Sequence, residues 1–177
     1  MTLKPIEPMA STPWESDLTK RLAGEFGSTI GEFAAYVDQN FLTAQASEIV
    51  RLIEYLKVVE EFDYLVDITA VDYPLQDAKR FEVIYFLYSY SLNVRVRVKT
   101  RVADGEKPPS ITGVFPGANW LEREVFDMFG IEFAGHPNMI RILLPEEWRG
   151  HPLRKDYSIL QMDNQWVKEN LGIESGQ

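Results

Sequence analysis

Residues 81–102 run Phe81-Glu-Val-Ile-Tyr-Phe-Leu-Tyr-Ser-Tyr90, then Ser91-Leu92, then Asn93-Val-Arg-Val-Arg-Val-Lys-Thr-Arg-Val102. The first part is apolar on both alternating sets: Val83, Tyr85 and Leu87 on one side, Ile84, Phe86 and Tyr88 on the other. Strands of that kind are central and covered on both faces. The second part alternates strictly, with Val94, Val96 and Val98 inward and Arg95, Arg97, Lys99 and Arg101 outward. Only a few residues separate the two parts, which predicts an antiparallel hairpin.

Upstream, Ala46 to Val59 reads as a helix. Ala46, Ile49, Leu52, Ile53 and Leu56 share one face, and Glu48, Arg51, Glu54 and Lys57 the other. A shorter helix is expected over Asp17–Phe26, on the spacing of Leu18, Leu22 and Phe26. Ile30–Val37 and Phe41–Ala44 read as strands around an Asp38-Gln39-Asn40 turn, and Phe62–Ile68 as a further strand. Thr69–Lys79 reads as a loop. Downstream come a linker (104–110), a short strand over Ile111–Phe115, and a helix started by Asn119 with Glu122 in capping-box position. Its buried stripe is read as Trp120 or Leu121, Val125 and Met128, with Gly130 as the stop.

Three segments follow: a flexible arm (1–16), an α+β core (17–133) and an extended irregular C-terminal arm (134–177). In the tail, Asp163 and Gly172 are suitable ends for a helix anchored by Trp166. The fold class is an α+β two-layer sandwich, helices on a mixed, mostly antiparallel sheet.

Composition restricts the chemistry. The chain has 177 residues, long enough for a core without staples. Zero cysteines exclude thiol nucleophiles, disulfides and cysteine-held iron–sulfur clusters. Eighteen Lys+Arg against 27 Asp+Glu give −9, which argues against nucleic acid and anionic membranes. No apolar run reaches the roughly 18 residues of a membrane helix. The first ten residues lack the apolar centre of a signal peptide, so a cytosolic location, or the cytosolic face of a membrane complex, is expected.

Few residues offer chemistry. Glu124 and Asp127 share a helix face and read either as an acid/base pair or as a surface ion network with Arg123; no nucleophile or ligand set accompanies them. His136 and His151 each lie between Gly and Pro, where a ring ties down a turn more readily than it holds a metal. The Arg95–Arg101 row is either a solvated face or a surface for an anionic partner. The cationic, irregular Arg149–Tyr157 segment follows Met139, Ile140, Ile142, Leu143, Leu144 and Trp148. It either packs back on its own domain or docks on another protein.

A longer pattern spans residues 122–157. It runs Glu122-Arg123-Glu124-x-x-Asp127-Met-Phe-Gly130-Ile-x-Phe133-x-Gly-His136-Pro137, then Arg141-Ile-Leu-x-Pro145-x-x-Trp148-x-Gly150-x-Pro152-Leu-Arg154-Lys155-Asp156-Tyr157. It resembles the signature of the 30-kDa subunit family of respiratory NADH:quinone oxidoreductase (complex I). Ile140, where that family usually carries a basic residue, and Ser158, where proline is common, depart from it.

The resemblance implies a structural subunit of the peripheral arm of a proton-translocating complex, on the cytoplasmic side of the cell inner membrane. It implies no catalytic residue, metal or cofactor on this chain, the FMN and iron–sulfur clusters lying on other subunits. The expected partner is chiefly the large quinone-site subunit, with membrane contact only through the complex. The motif residues named above, from Glu122 to Asp156, are then partner-contact candidates, with Arg154 and Lys155 paired to acids of a partner or of the chain itself. An equivalent subunit of a ferredoxin-driven photosynthetic-type complex or of a membrane-bound energy-converting hydrogenase is the alternative.

Overall fold

The computed structural model describes residues 10–75, 78–157, 168, 169 and 172. Six strands form one sheet in the order β1-β2-β3-β6-β5-β4. It is mixed and mostly antiparallel, with β3 and β6 parallel. The chain forms two compact units, Met1–Asp67 with Ile84–Thr100, and Ile68–Val83 with Arg101–Gln177.

In the first unit, strand β1 (Thr12–Pro13), inside the segment expected to be a flexible arm, pairs with Ala35 and Ala34 of β2 (Ile30–Tyr36). Proline suits such an edge position because it has no N–H to donate. Helix α1 (Asp17–Phe26) starts at Ser16, whose Oγ accepts from Thr19 N–H while the Thr19 hydroxyl oxygen accepts from Ser16 N–H. The spacing Ser16-x-x-Thr19 is what makes this reciprocal cap possible.

Strands β2 and β3 (Gln39–Ala44) meet at a two-residue turn, Val37-Asp38, with φ of 49° and 56°. Both angles are left-handed, the geometry that lets a two-residue turn follow the strand twist. Valine is strained there because its branched Cβ crowds the backbone. Val37 is also exposed. The Val37→Asn variant is therefore expected to be about 1 kcal/mol more stable in urea unfolding. A loss of stability would contradict this reading of the turn.

Helix α2 (Ile49–Val58) follows a 3-10 turn at Ala46–Glu48 and buries Ile49, Leu52, Ile53 and Leu56, the face expected from their spacing. These side chains share the unit's core with Leu22, Phe26, Leu42, Phe62, Val96 and Val98. Arg21 forks onto the buried Glu60 at 2.8 and 2.6 Å.

Strand β4 (Tyr64–Asp72) lies at the sheet end and continues through Thr69–Asp72, where the polar residues predict a loop. Strand β5 (Phe81–Ser89) lies between β4 and β6. It is buried on both faces from Phe81 to Tyr85 and half-exposed at Phe86 and Tyr88. Strand β6 (Val94–Val102) buries Val96, Val98, Thr100 and Val102.

The second unit contains helix α3 (Ala118–Phe129) and the C-terminal segment. Ile111–Phe115 is not a strand. Val114 and Phe115 N–H both return to Ile111 O at 2.9 Å, closing a helical turn. Asn119 is not the cap either: α3 begins at Ala118 with no side chain capping it. Its buried face is Ala118, Glu122, Val125 and Phe129, while Trp120 is exposed. The expected stripe is out of phase because Glu122, assigned to a capping box, is instead part of the buried face. Of the 163–177 tail, Asp163 and Trp166 lie outside the described residues.

Candidate functional site

The motif residues assemble around the C-terminal half of α3, and the organising group is the Asp127 carboxylate. It is fully buried. One oxygen accepts the successive backbone N–H groups of Ile142, Leu143 and Leu144 at 3.1, 2.8 and 2.8 Å. The other accepts from the Arg141 guanidinium. Arg141 also donates to Trp148 O and Gly150 O, each at 2.9 Å. Burial alone would push the Asp127 carboxyl up. The N–H of Leu144, the Arg141 guanidinium and the N–H groups of Leu143 and Ile142 outweigh it and hold the group below the usual carboxylate range.

Arg123 does not pair with Asp127. It reaches Ile140 O and Arg141 O at 3.0 and 2.9 Å. Glu124 is exposed. The Glu124/Asp127 acid/base pair and the surface ion network are therefore both set aside: one carboxylate faces solvent and the other is fully engaged.

The two histidines act as ties. His136 Nδ1 accepts from Asn138 N–H at 3.1 Å, so Nε2 carries the proton and donates to Asn119 O at 3.1 Å. His151 donates through Nδ1 to Asp127 O at 3.0 Å. Among the described residues no cluster of His, Asp and Glu could hold a metal ion. Gly130 ends α3 at φ 76°, and a Cβ there would lie 2.7 Å from the His151 ring. Glycine thus gives both the left-handed stop and the room for His151.

A second network fastens the end of the segment. Arg80 forks onto the buried Asp72 with two 2.7 Å bonds and donates to Asp156 at 2.8 Å. Arg154 forks onto Asp104 and reaches Asp156. Both guanidiniums lie 5.1 Å from the centre of the Phe81 ring. Lys155 donates its backbone N–H to Asp72 at 2.7 Å. The Arg80 guanidinium holds the Asp72 carboxyl below its ordinary range, against burial and with help from that N–H. No local pattern marks Asp72, Arg80 or Asp104; only their convergence from distant parts of the chain reveals them.

Arg154 is thus paired with acids of its own chain. The Lys155 side chain is exposed and has no ion pair among the described residues.

Glu122 is the other buried acid of the motif. Its carboxyl accepts Ile111 N–H and the Ser110 hydroxyl, both at 2.7 Å. Burial raises its pKa to about 7, against the opposing effect of those two bonds.

Three of the segment's apolar side chains are turned to solvent, while Met139, Ile142, Leu144 and Trp148 are half-buried. Ile140, Leu143 and Leu153 are exposed, Leu143 by 60%, and so is Trp120 on α3. The backbone is stitched to the chain by buried charges while the side chains of Ile140, Leu143 and Leu153 remain available.

This arrangement accompanies a family match. Residues 42–162 match the family model described as "Respiratory-chain NADH dehydrogenase, 30 Kd subunit". The chain belongs to that family. An NADH-quinone oxidoreductase subunit of Jannaschia sp. is 43% identical over 149 residues, covering 80% of this chain and 72% of its own. Its counterpart in Trichlorobacter lovleyi is 43% identical, covering 79% of this chain and 87% of its own. The counterpart in Ruegeria sp. is 50% identical over 118 residues, and this chain spans only 58% of that relative's length. Among solved structures, a chain of the archaeal membrane-bound sulfane sulfur reductase, a respiratory membrane complex, superposes with a TM-score of 0.70. It is 26% identical and covers 89% of this chain and 91% of its own.

With no cysteine, this family member holds no cysteine-ligated iron–sulfur cluster. No helix of the described residues is long and apolar enough to cross a membrane.

Proposed function

We propose that this chain is a cofactor-free structural subunit of a proton-translocating NADH:quinone oxidoreductase, and that its C-terminal segment docks on the large subunit that builds the quinone site. The complex transfers electrons from NADH to quinone. This subunit positions its neighbour and contributes no catalytic residue. It lies at the periphery of the complex, on the cytoplasmic side of the cell inner membrane. Family membership supports the complex. The observation that carries the docking is the self-fastened 140–157 segment with Ile140, Leu143 and Leu153 turned outward. A free monomer gains nothing from apolar side chains held rigidly in water, whereas an interface does.

Ile140→Asp combined with Leu143→Asp tests this. Neither side chain is buried, so urea unfolding of the isolated chain is expected to shift by less than about 1 kcal/mol. Recovery of the large subunit with the tagged chain from solubilised membranes is expected to fall at least about tenfold, as a buried charge at an interface would cause. Unchanged recovery would remove this face from the interface.

The likeness to a chain of an archaeal respiratory membrane complex that is named a sulfane sulfur reductase shows the fold in a second kind of complex, and the second reading is an equivalent subunit of a ferredoxin-driven photosynthetic-type complex or of a membrane-bound energy-converting hydrogenase. Membranes lacking the chain discriminate. Loss of NADH-driven quinone reduction supports the first reading, and loss of only ferredoxin-driven or hydrogen-linked electron transfer supports the second.

A further inference from the structure

The outward row of β6 differs from the face expected from sequence, because aromatic rings of its neighbours lie under its cations. Arg95 sits 5.7 Å from the Tyr88 ring centre, Arg97 5.2 Å from Phe86, and Lys99 3.8 Å from Phe41. The aliphatic stems shield an aromatic sheet face and the rings hold the charged heads.

Two of these cations stand apart. Six other arginines are committed to the chain's own acids, Arg21 to Glu60, Arg51 to Glu25, Arg80 to Asp72, Arg101 to Glu82, Arg141 to Asp127 and Arg154 to Asp104, and Arg123 is committed to two backbone carbonyls. Arg95 and Arg97 have ring contacts but no ion pair or hydrogen bond among the described residues. Both line a cavity of about 320 Å³ between the β2–β3 and β5–β6 turns, within the first unit. Gln39, Asn40 and Asn93 line it too. The Asn93 side-chain Oδ1 accepts from the Tyr88 hydroxyl at 2.6 Å, which leaves the side-chain NH2 to donate. Asp38, at the turn, is the one acid among the described residues of the lining.

We propose that Arg95 and Arg97, with the amides of Gln39, Asn40 and Asn93, receive the carboxylates of an extended acidic segment of another protein. Guanidinium forks match carboxylates with two parallel bonds, and rings beneath them fix their direction in advance. Alternate residues on a strand are about 6.5–7 Å apart, so these two forks match carboxylates at i and i+2 of a second extended chain. The cavity exceeds what one small anion fills. Asp38 adds a repulsive contact that sets the register of the incoming acids. The proposal does not depend on which complex the chain joins, since it concerns residues outside the C-terminal motif.

The test is a titration of the full chain, followed through the arginine Nε–H resonances, with a blocked peptide alternating threonine and glutamate. The same peptide with glutamine for glutamate, inorganic phosphate, and phosphatidylcholine vesicles containing phosphatidylglycerol are run beside it. The glutamate peptide is expected to shift the Arg95 and Arg97 resonances and the glutamine peptide to leave them in place. Arg95→Gln and Arg97→Gln are each expected to weaken binding by about tenfold or more. If a variant does not fold, the comparison of the two peptides on the unaltered chain still decides. Equal shifts from both peptides, or none, overturn the proposal. So does a response to phosphate or vesicles that matches the glutamate peptide, which would make the site a receptor for simple anions or lipid headgroups.

Discussion

The Asp127→Ala variant is expected to lose about 3–5 kcal/mol of stability, the range for breaking a buried charge pair from one side. The reason lies in what it abandons. Three consecutive N–H groups, of Ile142, Leu143 and Leu144, and the guanidinium of Arg141, whose side chain is only 14% exposed, all address this one carboxylate. Unpaired polar groups out of water are costly, and an unpaired buried charge more so. Arg141 would also lose its anchor while still linking Trp148 and Gly150, so residues 139–150 should become sensitive to protease. Urea unfolding and limited proteolysis check both parts, and a shift under about 1 kcal/mol would refute the hub. The sign with pH follows from the lowered folded pKa. The contribution is present above the unfolded value of about 3.9 and is lost as pH falls through the folded value. Asp72, also held low, acts in the same direction.

Glu122 works in the opposite sense. Its folded pKa of about 7 lies above the ordinary 4.5. A raised pKa means its favourable contribution is complete below the unfolded value and disappears as pH rises through about 7. Ionising it in place should cost on the order of 3 kcal/mol by pH 8. Glu122→Gln reproduces the protonated acid, with an oxygen for Ile111 N–H and an amide for the Ser110 oxygen. Wild-type stability is expected to decline relative to this variant between pH 5 and 8. Urea unfolding of both across that range is the measurement, and a constant difference between them would mean Glu122 does not titrate there. Together the acids predict a stability maximum on the mildly acidic side of neutrality.

Local patterning carries the secondary structure a long way. The β5–β6 hairpin, α1 and α2 follow from spacing alone, because a core-facing side must repeat with the period of the element that bears it. Two of the misses, the face of α3 and the end of β4, share one cause. Glu122 and Asp72 are acids at buried positions, so polarity steers the reading of α3 and of the end of β4 away from them. What makes those positions tolerable is a partner far along the chain: Ser110 and Ile111 for Glu122, Arg80 and Lys155 for Asp72. Spacing in one segment carries no trace of a partner in another.

The motif shows the same division. Its residue pattern by itself identified the family, and the absence of cysteine by itself removed cysteine-held clusters from the chain. Whether Arg123 meets Asp127 or two carbonyls, which acids take Arg154, and which way Leu143 faces were decided only by tertiary structure. Helix spacing offers Arg123 a neighbour four residues on, but the carboxylate is taken by Arg141 from 14 residues away, whose other terminal nitrogen holds Trp148 O and Gly150 O. The sequence determined which chemical groups are available. Folding decided which are consumed internally and which, like the outward Ile140 and Leu143 and the Arg95 and Arg97 guanidiniums over their rings, are not. The physical reason is that desolvation forces every buried charge to find a partner, and that partner can be chosen only after the chain has closed upon itself.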